Sequence, residues 1–537
     1  MTVDTSISAP EDASSDNKFL FWACFLALVA TAFGFMIRGE LLDTWGTEFG
    51  LNEVEKGQIN GVGVWPMGVS IVLFSLFIDK IGYGRAMVFA FAAHVVYAIV
   101  VICAPNVLAP AGASDAAIAA GKVRGYWMLY IGNLIFALGN GTVEACINPV
   151  VATIFSRQKT KWLNVLHAGW PGGLVLAGVL TIAIGTADWR LKVGSIFIPV
   201  LLYGAMMLRC KFPVNERVAA GASYREMLAE FGIGGALIIV ALIVREMLGN
   251  DFGFSWQTQL VVGALAVAAF GVAARSLGRP MLLFLMLIMI PLATTEIGTD
   301  GWITSLMKPE MTKLGANAAW VLVYTSFIMM VLRFSAGPIV HRISPLGLLA
   351  VSSVVAACGL FFLSKATGVT ILLAATIYGF GKTFFWPTML GVVSERFPKG
   401  GALTLNATGG VGMLGVGVLG FPLIGLLQEN AVRRELPPAL YAQVAIEKEG
   451  VFGTYQAVDP DKVKDLSPSE AEQVTAIADD GKKKALATMA IFPCVMFVCY
   501  LILIAYFRAK GGYQAEVLTG HAAEDGKFTG GLPAPVE

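Results

Sequence analysis

The apolar positions of this chain gather into long runs instead of alternating stripes. They lie at about 18–42, 57–78, 84–103, 126–155, 163–184 and 193–209, then 232–249 and 258–277. Six more follow at about 281–307, 317–337, 345–364, 370–391, 402–427 and 485–508. A bilayer core needs roughly 20 apolar residues per helix, and backbone groups in lipid are satisfied only within helices or closed barrels. The pattern predicts an all-α integral membrane protein with about 14 spans. One connection is long and hydrophilic, 428–484. It holds Pro437-Pro438, Asp459-Pro460 and the helix start Ser467-Pro-Ser-Glu470, which predicts a small helical cap on the outer face. Residues 1–17 are polar and acidic, lack the basic stretch of a secretory signal, and read as a disordered tail; 511–537 is a second tail.

Composition narrows the class. Hydrophobic residues are 56% and charged residues 14% of the 537, with a mean hydropathy of +0.71; a soluble chain carries roughly 25% charged residues. The net charge is +1 and there is no long basic arm, which argues against a nucleic-acid partner. The seven cysteines fall in or at apolar runs and form no disulfide or zinc framework. No His/Cys/Asp spacing suggests a metal. The run Gly409–Gly417 lies in an apolar span without the Lys-Ser/Thr ending of a phosphate loop, so no cofactor is expected.

The basic residues are unevenly placed. With the N-terminus inside, the inner connections hold Lys80, Arg85, Arg157, Lys159, Lys161, Arg209, Lys211, Arg217, Arg225, Arg275, Arg279, Arg342, Arg396, Lys399, Arg508 and Lys510. The short outer loops hold fewer, such as Lys56, Lys122 and Arg124. This bias predicts a multi-pass protein of the cell's inner (plasma) membrane with both termini cytoplasmic.

The chain also repeats itself. When Pro149 is aligned with Pro387, Asn140, Glu144 and Asn148 match Tyr378, Lys382 and Trp386. Each triplet is spaced i, i+4, i+8 and so forms one stripe on a helix. Asp79-Lys80-Ile81-Gly82 matches His341-Arg342-Ile343-Ser344, and Asp43-Thr-Trp45 matches Asp300-Gly-Trp302. Two pseudo-symmetric six-helix halves are predicted, at 18–212 and 281–510. The linker 213–280 between them carries the extra transmembrane hairpin. Two homologous halves with a site at their interface are a transporter design.

These residues resemble the major facilitator superfamily. Asp79-Lys80-x-Gly82-x-x-Arg85 is similar to that superfamily's cytoplasmic loop signature, with Ser75 in place of its leading glycine. Within it, Glu144-x-x-x-Asn148-Pro149, Leu163-Asn164 and Arg333-x-x-x-Gly337 are similar to the fucose–proton symporter group. The resemblance implies a cytoplasmic gate at Asp79, Lys80, Gly82, Arg85 and Arg333, and a span-4 acid, here Glu144, that serves sugar binding and proton coupling. The group's span-1 Asp is replaced here by Gly39, between Arg38 and Glu40. The hairpin between the halves is similar to that of proton-coupled peptide transporters, whose Glu-x-x-Glu-Arg motif this chain lacks.

Charges in the middle of a span default to function. Glu144 and Lys382 are expected to pair in a central cavity. Glu296 and Asp300 lie i, i+4 on one span and are candidate proton carriers. Arg38, Glu40 and Asp43 stand near the outer end of the first span, as a gate with those acids or as a solvated helix end. Trp65-Pro66, Trp170-Pro171 and Trp386-Pro387 mark kinked helices, whose indoles suit a sugar's C–H face. Asn140, Asn148, Asn164 and Tyr378 add neutral hydrogen-bonding groups. A lone His167 or His94 reads first as a packing residue, and Arg245-Glu246 as a local or snorkelling pair.

Taken together, the sequence predicts a monomeric secondary transporter and no enzyme. It would move a small polar solute, a sugar or related molecule, with protons by alternating access. Protons would be carried by Glu144, Glu296 or Asp300. Solute would be bound by Asn140, Asn148, Asn164, Tyr378, Lys382, Trp386, Trp170, Trp65, Arg38 and Glu40. Alternatives are an organic anion held by Lys382 and Arg38, a proton-antiport exporter of amphipathic compounds, and a non-transporting sensor.

Overall fold

The computed structural model describes residues 15–516 and 518, except 52, 111 and 341. Of the tails expected at 1–17 and 511–537, residues 1–14, 517 and 519–537 lie outside the described residues, as does the repeat position 341. Ser15–Asn17 are not tail: they open the first helix.

Helices occupy nearly every apolar run. The first half has span 1 (Ser15–Phe49), span 2 (Glu55–Ile81), span 3 (Tyr83–Val107), span 4 (Asp115–Ile154), span 5 (Ser156–Ile184) and span 6 (Trp189–Met207). The inserted hairpin is Tyr224–Asp251 and Trp256–Ala274. The second half has span 7 (Pro280–Lys313), span 8 (Ala319–Phe334), span 9 (Pro345–Leu363), span 10 (Thr370–Lys382 and Phe385–Arg396), span 11 (Pro398–Glu435) and span 12 (Pro468–Ala509). Twelve of these are long and apolar enough to cross a membrane unaided. The other two are span 8, which is short, and span 10, which is broken.

Three spans break beside a Trp-Pro pair, because proline has no N–H and its ring clashes with the preceding turn. Span 2 breaks before Trp65-Pro66, span 5 between Lys159–Leu166 and Gly169–Ile184, and span 10 at Thr383-Phe384. Spans 7 and 11 each carry a π-helical turn, Thr294–Gly298 and Val416–Gly420, packed against each other. Such turns frequently sit at functional sites.

The two halves meet along spans 2 and 11, 5 and 8, and the start of span 5 against the end of span 10. Glycine permits the closest packing. A Cβ on Gly141 of span 4 would stand 2.3 Å from the backbone oxygen of Met67 on span 2.

Both described chain ends lie at one face of the bundle, called here the terminal face. Cross-half hydrogen bonds close it. Thr160 Oγ1 donates to Glu395 Oε1 at 2.5 Å, Lys159 Nζ to the Ser394 carbonyl at 3.3 Å, and Asn164 Nδ2 to Thr388 Oγ1 at 3.2 Å. The Asp79 carboxylate pairs with Arg217 at 2.5 Å, tying the end of span 2 to the linker. Lys80 lies over the Tyr224 ring at 5.3 Å, Gly82 has φ +86°, and Arg85 is exposed.

The inserted hairpin's first helix packs on span 11, while its second is exposed along nearly its whole length. The 428–484 insertion departs from the helical cap expected of it. Between its helices it holds an antiparallel hairpin, Ala445–Gly450 with Gly453–Val458, over a small core of Val432, Leu436, Leu440 and Val474. The alternating Lys448, Gly450, Gly453 and Tyr455 region was not legible as a strand pair among polar residues. Arg245, expected in a local or snorkelling pair, also reaches beyond its own helix. Its Nη2 donates to the carbonyls of Gly450 and Val451, so the two insertions touch.

Gly141→Leu is expected to force spans 2 and 4 apart. Overpacking costs about 1–3 kcal/mol or more, read as lost monodisperse yield and a lower Tm in detergent.

Candidate functional site

A small cavity lies where the two halves meet. Span 2 contributes Met67, span 4 Glu144, and span 5 His167 and Trp170. Span 7 contributes Glu296 and Ile297, span 8 Arg333, span 10 Trp386 and span 11 Met413. Its polar groups are four ionisable side chains; the rest of its lining is apolar.

Those four form one hydrogen-bonded chain across the halves. Asn148 Nδ2 donates to Glu144 Oε2 at 2.6 Å, and Asn148 Oδ1 lies 2.9 Å from His167 Nε2. The His167 backbone carbonyl accepts from Arg333 Nη1 at 2.8 Å. Arg333 Nη2 then donates to Glu296 Oε1 at 2.7 Å, and Arg333 Nε to the Thr383 carbonyl at 2.6 Å. Finally Glu296 Oε2 accepts from the Trp386 backbone N–H at 3.2 Å.

The backbone partners follow from the helix breaks. A helical carbonyl at i is normally bonded by the N–H at i+4. Pro171 leaves His167 without that donor, and Pro387 leaves Thr383 without it. The Trp386 N–H is one of the orphan donors at the start of the helix Phe385–Arg396. The Arg333–Glu296 ion pair satisfies all three.

The expected pairing of Glu144 with Lys382 is not formed. Lys382 is ion-paired with Asp300, donates to Thr325 Oγ1 at 3.4 Å, and lies over the Tyr378 ring at 5.1 Å. Its partners come from spans 7, 8 and 10, all in one half, and neither Lys382 nor Asp300 lines the cavity. Glu296 and Asp300 take different cations: the π-helical turn at Thr294–Gly298 ends between them, so i, i+4 spacing does not give them a common partner. Arg333 is also displaced from expectation. It does not meet Asp79, which pairs with Arg217; it lines the cavity and faces the breaks in spans 5 and 10.

Several expected solute contacts point elsewhere. Asn140 Oδ1 is 2.9 Å from His94 Nε2, whose Nδ1 is 3.0 Å from Tyr203 Oη. Asn164 donates to the Thr160 carbonyl and to Thr388, and Tyr378 Oη to the Thr295 carbonyl at 2.6 Å. Trp65 packs on span 11 at Gly417. Arg38 Nε donates to Asn60 Oδ1 and Nη1 to the Gly63 carbonyl, both at 3.3 Å, across the break in span 2. Glu40 pairs with Lys192 and Asp43 with Lys56, so the outer gate with the span-7 acids is not formed. Asn140, Tyr378 and Arg38 are buried with partners of their own, as buried polar groups generally are, whereas Asp43 is exposed.

Sequence reasoning placed Glu144, Glu296, Trp170 and Trp386 at the site, and the structure brings them together with Asn148 directly behind Glu144. It missed Met67, Ile297 and Met413, which carry no chemical signal. It undervalued His167, whose position four residues before Pro171 was the available clue.

The family model described as the Major Facilitator Superfamily matches residues 23–422. No curated protein sequence matches the chain. Among solved structures, the E. coli fucose:proton symporter is 14% identical, with a TM-score of 0.52 over 89% of this chain and 98% of that one. The proton:xylose symporter XylE is 14% identical, with a TM-score of 0.55 over 92% and 96%. A human organic anion transporter is 10% identical, with a TM-score of 0.54 over 90% and 99%. At these identities the likeness is one of fold.

Removing one partner of a buried ion pair strands the other charge, at about 3–5 kcal/mol, whereas replacing both by apolar groups is often neutral. Asp300→Leu alone should therefore lower the Tm sharply, and Asp300→Leu with Lys382→Met should restore most of the loss.

Proposed function

The chain belongs to the major facilitator superfamily, which makes it a multi-pass membrane transporter and not an enzyme, and on that premise we propose that it moves a small polar solute with protons by alternating access. The observation that carries this reading is the asymmetry of the two cavity acids. Glu296 is held by Arg333, while Glu144 is bonded by neutral Asn148 and makes no salt bridge among the described residues. An acid buried within a span without a cation is costly to keep charged. Proton binding removes that cost, so Glu144 is the proton carrier, and Glu296 is exchangeable only if Arg333 is released.

The solute lies between Trp170 and Trp386, whose faces suit the C–H surface of a sugar ring, with Glu144 and His167 as its hydrogen-bonding partners. The sugar:proton symporters among the fold neighbours are compatible with this class. A second reading is favoured by the lining itself. Met67, Ile297, Met413 and the two tryptophans surround few free polar groups, which suits export of an amphipathic compound by proton antiport. An organic anion is less well served, since Lys382 and Arg333 are already paired. Placement in the plasma membrane with both termini cytoplasmic follows the basic-residue bias.

Reconstituted liposomes test the proposal. Pools of labelled sugars, organic acids and amphipathic amines are offered with and without an imposed pH gradient. The symport reading expects accumulation driven severalfold by protons moving inward. It expects Glu144→Gln to abolish that accumulation while solute exchange without a gradient persists. Uptake indifferent to the gradient and undiminished by Glu144→Gln would sink the proton assignment. Gradient-driven movement of the amines alone, opposite to the protons, selects the exporter reading.

A further inference from the structure

We propose that Arg333 is the releasable latch between the two halves, and that it works by taking the carbonyl which Pro171 frees in span 5. The proposal rests on the alternating-access reading above, but not on any solute or coupling ion.

A guanidinium offers five donors in a rigid planar fork. Here three of its nitrogens are used on three acceptors: Glu296 on span 7, the Thr383 carbonyl on span 10 and the His167 carbonyl on span 5. Arg333 itself is on span 8. Spans 7, 8 and 10 belong to the second half and span 5 to the first. When the halves part, two of the three bonds move with the arginine, and only the bond from Nη1 to His167 breaks. Glu296 and Thr383 thus hold the fork in place, ready to close again.

The broken bond has an alternative partner only when the site is open. Neither the proline-freed carbonyl nor Arg333 Nη1 has a helical substitute, so in a dry seam each needs the other. Opening the terminal face admits water, which can satisfy both. That gives two arrangements of the same groups, closed on Arg333 or hydrated, as a two-state element requires.

The other cross-half side-chain bonds among the described residues are Thr160–Glu395, Lys159–Ser394 and Asn164–Thr388 toward the terminal face, and Asn406 to the Ala145 carbonyl between spans 11 and 4. Arg333 is distinguished from them by lining the cavity. A solute that pulls on the guanidinium acts on the latch directly.

The proline supplies the decisive test. Pro171→Ala returns an N–H to position 171, where it competes with Arg333 for the His167 carbonyl. The latch is weakened without touching Arg333. Pro387→Ala does the same for the Thr383 carbonyl, but that bond lies within one half and the Glu296 ion pair still holds the fork, so the latch is spared. Spin labels at Arg157→Cys and Arg342→Cys, both exposed at the terminal face, report opening by pulsed electron–electron double resonance. The background carries Cys358→Ser and Cys494→Ser, the two exposed native thiols.

The long-distance population should rise at least threefold in Pro171→Ala and stay at the wild-type level in Pro387→Ala. Arg333→Lys, which keeps the charge but loses the fork, should open the face as Pro171→Ala does; it also serves if Pro171→Ala is not recovered as monodisperse protein. A distribution unchanged in Pro171→Ala and Arg333→Lys would overturn the latch. So would an equal rise in Pro171→Ala and Pro387→Ala, which would mark a general effect of straightening a helix. The label readout needs no solute, so failure of the latch is separable from failure of proton coupling in the uptake assay.

Discussion

The structure depends on how broken membrane helices find partners for their backbone. Lipid offers none, so each Trp-Pro break must be served from inside the protein. In all three broken spans an arginine from another span does so. Arg38 reaches the Gly63 carbonyl beside the break in span 2, and Arg333 reaches the carbonyls of His167 and Thr383 in spans 5 and 10. Gly63 is needed for the first of these, because a Cβ there would fall 2.1 Å from the guanidinium. The same requirement that makes irregular backbone rare in membranes therefore draws charge into the bundle. Once Arg333 is there, Glu296 is drawn in to balance it.

That ordering explains how the buried charges are shared out. Lys382 with Asp300 and Arg333 with Glu296 are closed pairs, one behind the cavity and one in its lining. Glu144 is left with a neutral amide. Its difference from Glu296 comes from its neighbours, since both are buried glutamates in the same cavity.

Outside the superfamily core, the inserted hairpin and the 428–489 region meet through Arg245 and the β-turn at Gly450-Val451. Glu310 at the end of span 7 is bridged to Lys483 at 2.6 Å, tying the same region to a span that lines the cavity. The sequence marked each insertion separately, and nothing in either one indicated that they touch.

Much of the fold was legible in the chain. Run length predicted the spans, because bilayer thickness sets helix length. The repeat aligned on Pro149 and Pro387 predicted two related halves, and Glu144, Glu296 and the Trp-Pro pairs were marked as exceptions to the apolar background. Pairing was not legible. The i, i+4, i+8 stripes put Asn140 and Lys382 on the same helix faces as Glu144 and Trp386. Yet Asn140 turns to His94, and Lys382 to Asp300. Helical spacing determines which residues share a face of one helix, but which cation reaches which carboxylate depends on how several helices cross, on the π-helical turn in span 7 and on the depth of each break. Those are properties of the packed bundle. The sequence alone determined that this protein spans a membrane in two related halves with a few buried charges; only the tertiary structure decided that Arg333 joins the halves and that Glu144 makes no salt bridge among the described residues.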